Sequence, residues 1–336
     1  MRTRSMVAAV SATVMLFATA CGADVEDDAT APAGQAVTVD NCREPLTVPG
    51  RPSRVVVNDT GITEIMFALG LADTLAGYTT YAGKERDIAS SPWRADFERT
   101  RSLGDAFTRE AIQSADPDFV FAGWNYGFKK STGVTPDWIR SLGATPYQLT
   151  EACRQPGSTE RGIVAPLDAL YEDLANIGEI FGVQNRATSL ISEYKAEVRK
   201  ANATAPTEDR RARVFLFDSA DPTPFTSGRF AAPEQIITEA GGSNIFGDLE
   251  DSWTSTSWEA AAQRNPQVIL IVDYGAGPAN TVAAKIRQLQ THPLMSGTDA
   301  VREGRFLALP YAALVEGPRN PAAITKVAQY LRSVGH

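Results

Sequence analysis

Thr108-Arg109-Glu110-Ala111-Ile112-Gln113-Ser114-Ala115-Asp116-Pro117-Asp118-Phe119-Val120-Phe121-Ala122 and Ser257-Trp258-Glu259-Ala260-Ala261-Ala262-Gln263-Arg264-Asn265-Pro266-Gln267-Val268-Ile269-Leu270-Ile271-Val272 follow one plan. Each opens on a hydroxyl residue suited to cap a helix, with a glutamate two positions later. Six residues separate each glutamate from a proline, Pro117 or Pro266. That spacing predicts a helix of about two turns, stopped by the proline. An apolar run follows and reads as a buried strand. The glutamate favours the positive end of the helix dipole and stays exposed there. An aromatic residue follows each strand, Trp124 in one copy and Tyr274 in the other.

A unit repeated about 150 residues apart implies two similar lobes. Each lobe then offers one surface glutamate and one ligand-facing aromatic. The pattern points to a two-lobed binding protein that docks onto a two-fold partner.

Further elements extend the first lobe. Arg54 to Val57 reads as a strand, Asp59-Thr60-Gly61 as a turn, and Ile62 to Leu69 as a helix ending at Gly70. Leu75 to Tyr78 reads as the next strand, Pro136 to Leu142 as a helix, and Pro146 to Leu149 as the last strand. Alternating strands and helices imply a parallel sheet covered on both faces. Leu167 to Phe181 has helical apolar spacing, which Gly182 interrupts and Asn185 to Ala203 resumes. The latter would span about 28 Å. Arg213 to Phe217, Val268 to Val272 and Phe306 to Leu309 read as strands of a second lobe. The fold class expected is α/β: two Rossmann-like lobes with parallel-rich sheets joined by one long α-helix. The expected division is a first lobe over 51–165, a helical linker over 166–205 and a second lobe over 206–336.

Composition agrees with a soluble two-domain chain: 336 residues, 43% hydrophobic and 21% charged, with formal net charge −8. No Lys/Arg run stands out, which argues against nucleic-acid binding. Residues 1–20 read as a signal peptide, with basic Arg2 and Arg4 before an apolar stretch too short for a comfortable membrane span. Its loss takes the formal charge from −8 to −10, since Arg2 and Arg4 are its only charged residues. The small residues before Cys21 resemble a bacterial lipobox, at which Cys21 takes lipid and becomes the mature N-terminus; a plain secretory signal is the alternative. Asp24 to Gln35 is acidic and rich in Ala, Thr and Pro, and 21–50 reads as a tether and N-terminal segment. Cys42 and Cys153 remain, and in an exported protein such a pair most often forms a disulfide.

Several motifs resemble the substrate-binding proteins of ABC importers for iron complexes and corrinoids. Pro224-Phe225-Thr226-Ser227-Gly228, Gly241 to Phe246, Ser257-Trp258-Glu259 and Asn265-Pro266 match the family's second lobe in order and spacing. Arg109-Glu110 through Pro117-Asp118 match its first lobe, and Gly304-Arg305-Phe306 with Pro310-Tyr311 its last strand and loop. The resemblance covers roughly 50–334. It implies a ligand in the cleft between rigid lobes, in a lipid-anchored, extracytoplasmic monomer with no resident cofactor. It also implies that Glu110 and Glu259 pair with arginines of a permease dimer driven by its ATPase, a role compatible with capping their helices.

Ligands of α/β folds lie beyond the carboxyl ends of the strands. The first-lobe candidates are therefore Asp59, Thr60, Tyr78, Tyr81, Arg86, Trp124, Tyr126 and Phe128. The second-lobe candidates are Phe225, Ser227, Arg229, Trp253, Tyr274 and Tyr311. Aromatics give flat ligands contact area at low entropy cost, and arginines suit the anionic oxygens of a ferric chelate. Trp258 is expected to pack at its helix start instead. Corrinoid binders resemble the chain at Trp124, Phe225 and Trp253, but tend to carry Asp and Arg where it reads Tyr311-Ala312-Ala313-Leu314-Val315. Haem binders use His or Tyr, and the chain has only His292 and His336. A bare-metal site needs a His and carboxylate cluster, so no metal site is expected. A ferric siderophore is the ligand expected, with corrinoid or haem as alternatives. An exported hydrolase is the rival class. Gly-x-Ser-x-Gly and His-Glu-x-x-His are absent, and Gly77 to Lys84 departs from a phosphate loop in spacing and in Glu85, so no enzyme is expected.

Overall fold

A computed structural model describes residues 34–81, 83, 85–155, 162–275 and 280–336. The expected signal peptide and Cys21 lie outside them. The chain opens with an antiparallel hairpin of β1 (Val37–Asn41) and β2 (Glu44–Val48). Its first lobe holds β3 (Val55–Asn58), β4 (Leu75–Thr79), β5 (Phe119–Ala122) and β6 (Thr145–Gln148). They form a parallel sheet in the order β4-β3-β5-β6.

The second lobe adds β7 (Ala212–Phe217), β8 (Ser219–Ala220), β9 (Pro224–Ser227), β10 (Gly242–Asn244), β11 (Trp253–Ser255), β12 (Val268–Asp273) and β13 (Phe306–Pro310). Its parallel sheet runs β10-β7-β12-β13. Counted within each lobe, the four parallel strands take the same order: second, first, third, fourth. The expected α/β fold with two like lobes is therefore present. Successive strand residues enter opposite cores, as the two-residue pleat requires. Val55, Val57, Phe119 and Phe121 pack on one face, with Val56, Val120 and Ala122 on the other. Leu216, Leu270 and Val272 oppose Phe215, Phe217, Ile269 and Ile271 in the same manner. Both faces are covered, which is why these strands read as continuous apolar runs.

The repeated unit is alike down to its caps. Thr108 Oγ1 accepts from Ala111 N at 3.2 Å, and Ser257 Oγ from Ala260 N at 3.1 Å. The helices are Arg109–Ser114 and Trp258–Gln263. Each ends before a residue of positive φ placed directly ahead of the proline, Asp116 at 45° and Asn265 at 42°. The carbonyls of these residues accept from Arg54 Nε at 2.6 Å and Arg213 Nε at 2.9 Å. The arginine ahead of the first strand of each lobe thus fastens the turn ahead of its third.

The linker is a helical pair. Pro166–Ile180 and Gln184–Asn202 are separated at Gly182, whose φ of 68° suits glycine. Ala187 packs in the first-lobe core, whereas Val198 and Ala201, at the other end of the same helix, pack in the second. The 19-residue helix Gln184–Asn202 is therefore the long connection.

Two features depart from expectation. Asp59-Thr60-Gly61 is no separate turn: Asp59 caps a helix that already begins at Thr60, Thr60–Ala68. The antiparallel sheet β11-β9-β8 was not expected, because strands of two to four residues carry too little periodicity to register. Cys42 and Cys153 are disulfide-bonded, closing a sequence separation of 111 residues. In the loop-entropy account this contributes roughly 5 kcal/mol. The bond fastens the hairpin turn, where Cys42 and Arg43 both have positive φ, to the end of the first lobe. No helix among the described residues is long and apolar enough to cross a membrane.

Candidate ligand-binding cleft

A cavity of about 240 Å³ lies between the lobes. Its walls come from segments that follow strands: Asp59 after β3, Asn125 and Tyr126 after β5, and Leu149, Glu151 and Ala152 after β6. Across from them stand Asp218 after β7, Tyr274 after β12, and Tyr311, Val315 and Glu316 after β13. Phe225 and Trp253, from the small antiparallel sheet, complete the lining with Gly61 and Ile62. In both lobes the first and third strands meet where the strand order reverses, the point at which open α/β sheets leave a crevice.

Aromatic rings form the apolar walls. Phe225 and Trp253 stack at 6.0 Å with an interplanar angle of 22°, a diagonal contact between β9 and β11, where Trp253 stands opposite Ser227 and Phe225 opposite Ser255. Tyr274 and Tyr311 stack at 5.3 Å and 25°. Tyr274 Oη donates to Asp218 Oδ2 at 2.7 Å, and Tyr311 Oη crosses to Asp59 Oδ2 of the first lobe at 2.9 Å. Burial first, and then the charge of Asp218, raises the pKa of Tyr274; burial and then Asp59 do the same for Tyr311. Both therefore hold their protons, which disfavours the phenolate form that binds iron. Below Tyr274, Lys285 lies 4.8 Å from the ring and donates to the Asp218 and Val272 carbonyls. Burial lowers its pKa.

Six of the residues chosen from sequence line this cavity: Asp59, Tyr126, Phe225, Trp253, Tyr274 and Tyr311. Others stand outside the lining. Tyr78 is buried in the first core against Phe97, and Thr60 is fully buried at its helix start. Ser227 is fully buried, with its hydroxyl donating to the Gly228 carbonyl. Phe128 is fully buried in the first lobe as well. Trp124 packs against the first core with Arg154 5.1 Å above its ring. Tyr81 sits beside Asn58 and Asp59, its hydroxyl pushed up to about 12 chiefly by burial.

The two arginines depart furthest from expectation. Arg229 pairs with Glu250 at 3.1 Å on the exposed surface. Arg86 reaches across the lobes to Asp273 at 3.3 Å and packs on Gly275. Among the described residues that line the cavity there is no Lys or Arg. Both guanidinium groups have carboxylate partners outside the lining of this cavity. Glu151, Asp218 and Glu316 were missed, because a lone carboxylate after a strand carries no periodic signal. The groups of His, Cys, Asp or Glu that could hold a metal ion are absent among the described residues.

Further polar contacts join the lobes beside the cavity. Arg319 is paired with Glu64, both buried, and Ala312 N donates to Asp87 Oδ1 at 3.1 Å. Gly61 lies so close to the second-lobe loop that a Cβ there would meet the Glu316 carbonyl at 2.5 Å. Away from the cleft, Glu110 and Glu259 are exposed in the first turns of their helices. Trp258 packs on His292 with ring centroids 4.1 Å apart, as expected of a residue outside the cleft.

The profile of the periplasmic binding protein family matches residues 55–313. An ABC transporter substrate-binding lipoprotein of Bacillus subtilis (strain 168), YvrC, is 23% identical over 301 residues, covering 87% of this chain and 84% of the relative. A vitamin B12-binding protein of Salmonella typhimurium (strain LT2) is 27% identical over 244 residues, covering 70% of this chain and 76% of the relative. The crystal structure of a periplasmic binding protein from Veillonella parvula superposes with a TM-score of 0.74 at 24% identity, covering 89% of this chain and 98% of that one.

Proposed function

We propose a ligand and a mode of action for a chain that belongs to the periplasmic binding protein family. It is the substrate-binding component of an ABC importer. It captures a ferric siderophore in the cleft between its lobes and delivers the intact complex to a permease dimer driven by its ATPase. The supporting observation is the cavity itself: stacked aromatic pairs and hydrogen-bonding carboxyl groups, without a cluster of metal ligands among the described residues. Such a surface takes a chelate whole, by its flat faces and rim, rather than a bare ion. With no cation in its described lining, it suits a neutral or cationic ferric hydroxamate better than an anionic catecholate or citrate complex.

A corrinoid is the second reading. The vitamin B12-binding relatives favour it, and corrinoids carry a flat ring and neutral amides that the same walls would accept. Titration of tryptophan fluorescence with hydroxamate, catecholate and citrate ferric chelates, haem and cobalamin separates the readings. Ferric hydroxamates are expected to quench Trp253 strongly, since that ring lines the cavity. Tight binding of cobalamin with no ferric chelate bound would overturn the siderophore reading for the corrinoid one.

The anchor is proposed on Cys21. Its replacement by Ala is expected to release the protein from the membrane fraction, and unchanged retention would refute lipidation.

A further inference from the structure

Thr150, Glu151 and Ala152 form a short turn after β6, and Glu151 and Ala152 line the cavity. Two buried carboxyl groups hold this turn. Asp173, on the linker helix Pro166–Ile180, accepts from Thr150 N at 3.0 Å, Thr150 Oγ1 at 2.6 Å and Tyr147 Oη at 2.6 Å. Glu316 arrives from the second lobe and is 1% exposed. Its Oε2 accepts from Glu151 N at 3.0 Å. Its Oε1 meets no N–H or O–H donor, and its carboxyl group is buried beside that of Asp173.

Two buried carboxyl groups side by side do not readily both ionise. We propose that Glu316 is a positioning residue: a neutral hydrogen-bond donor to Asp173 that clamps the first-lobe wall of the cavity to the second lobe through the Glu151 amide. The proposal rests on the reading of this cavity as the ligand site. Burial, followed by the charge of Asp173, raises the pKa of Glu316 well above the ordinary carboxylate range. Burial also raises that of Asp173. The other charged groups around Glu316 are Glu151, whose Oε1 accepts from Ser252 Oγ at 2.9 Å, Glu172 beside Asp173, and Asp59 with the Glu64–Arg319 pair on the helix against its loop. Of these, only Arg319 is cationic, and it is engaged by Glu64.

The sign follows from the raised pKa. The folded protein holds a proton that the unfolded chain would release, so the clamp is complete in acid and is lost as pH rises through the raised value. An amide in place of the protonated carboxyl keeps both the donor and the acceptor.

The test compares Glu316→Gln with Glu316→Ala in the full chain. Two readouts are used: affinity for the tightest chelate of the panel across pH, and hydrogen exchange of the Glu151 amide without ligand. Glu316→Gln should bind more tightly than Glu316→Ala and keep slow exchange, and its affinity should not fall in alkaline buffer. Glu316→Ala should bind roughly ten-fold more weakly and exchange at least about ten-fold faster, as expected for loss of a buried hydrogen-bonded group. Glu316→Gln as impaired as Glu316→Ala, or a wild-type alkaline fall that Glu316→Gln shares, would overturn the proposal. If no chelate binds the wild-type protein, the ligand reading falls, and the exchange comparison alone decides the positioning role.

Discussion

Arg319→Met is expected to destabilise the protein by about 3–5 kcal/mol, one of the largest losses available to a single substitution in this chain. The Arg319 side chain is 8% exposed and that of Glu64 is fully buried. Arg319 Nε donates to Glu64 Oε2 at 2.7 Å, its Nη2 to Glu64 Oε1 and the Asp87 carbonyl, and its Nη1 to Ser90 Oγ at 3.2 Å. Glu64 also accepts from Ser91 Oγ at 2.5 Å. Removal of the arginine leaves a carboxylate in a dry site with one hydroxyl to solvate it.

The pair need not be strongly stabilising for its breakage to be severe. Burial already raises the pKa of Glu64 despite the arginine beside it, so desolvation outweighs attraction. Glu64→Leu combined with Arg319→Met should therefore recover most of the loss. In the single variant the carboxyl loses the group that lowers its pKa. Its folded-state pKa rises further above the unfolded value, so the deficit is small in acid and grows as pH rises through the ordinary carboxylate range towards the raised value. Thermal unfolding of the single and double variants across pH checks this. A single variant within about 1 kcal/mol of wild type at neutral pH would show that the site is open to water. Because Glu64 and Arg319 belong to different lobes, the single variant should also separate unfolding into two transitions.

Much of this architecture was legible because it is written twice. The hydroxyl caps Thr108 and Ser257, the glutamates after them and the prolines at Pro117 and Pro266 carry local signals whose physics does not depend on the rest of the chain. The apolar strands after them are continuous because both their faces are covered. What sequence concealed depends on partners distant in the chain. Phe225 and Trp253 could be chosen as aromatics, but their stacking exists only because β9 and β11 pair antiparallel. Arg86 and Arg229 could be chosen as cations, but sequence does not display Asp273 or Glu250 as their partners. Tyr78 and Trp124 share the composition of a ligand wall and the burial of a core, and only packing distinguishes the two. Glu316 and Asp173 were invisible for the same reason: 143 positions of chain, from 173 to 316, separate two carboxyl groups that share one site.

The duplicated plan also supports the docking proposal. Replacing both Glu110 and Glu259 by arginine should abolish uptake while ligand affinity remains within about two-fold of wild type. The two glutamates occupy the same position of the same unit, one per lobe, and both are exposed. Neither lines the cavity. Two like charges held at equivalent points of two similar lobes would match a partner that is itself two-fold and basic, and would steer and orient the encounter. The carboxyl of Glu110 is held below the ordinary range, first by its own backbone N–H and then by the Thr108 hydroxyl. Its charge therefore persists into mildly acid buffer, and the contribution is lost only as pH falls through that lowered pKa. Rigid lobes matter here, because the spacing of the two charges is set by the contacts that join the lobes, among them Arg319 with Glu64 and Tyr311 with Asp59. Single reversals should each reduce uptake, and the loss should be steeper at low ionic strength, where like-signed surfaces repel over a longer range. The measurement is uptake by cells expressing each variant, set against affinity of the purified proteins. A double variant whose affinity collapses together with uptake would move these glutamates from docking to folding or ligand binding.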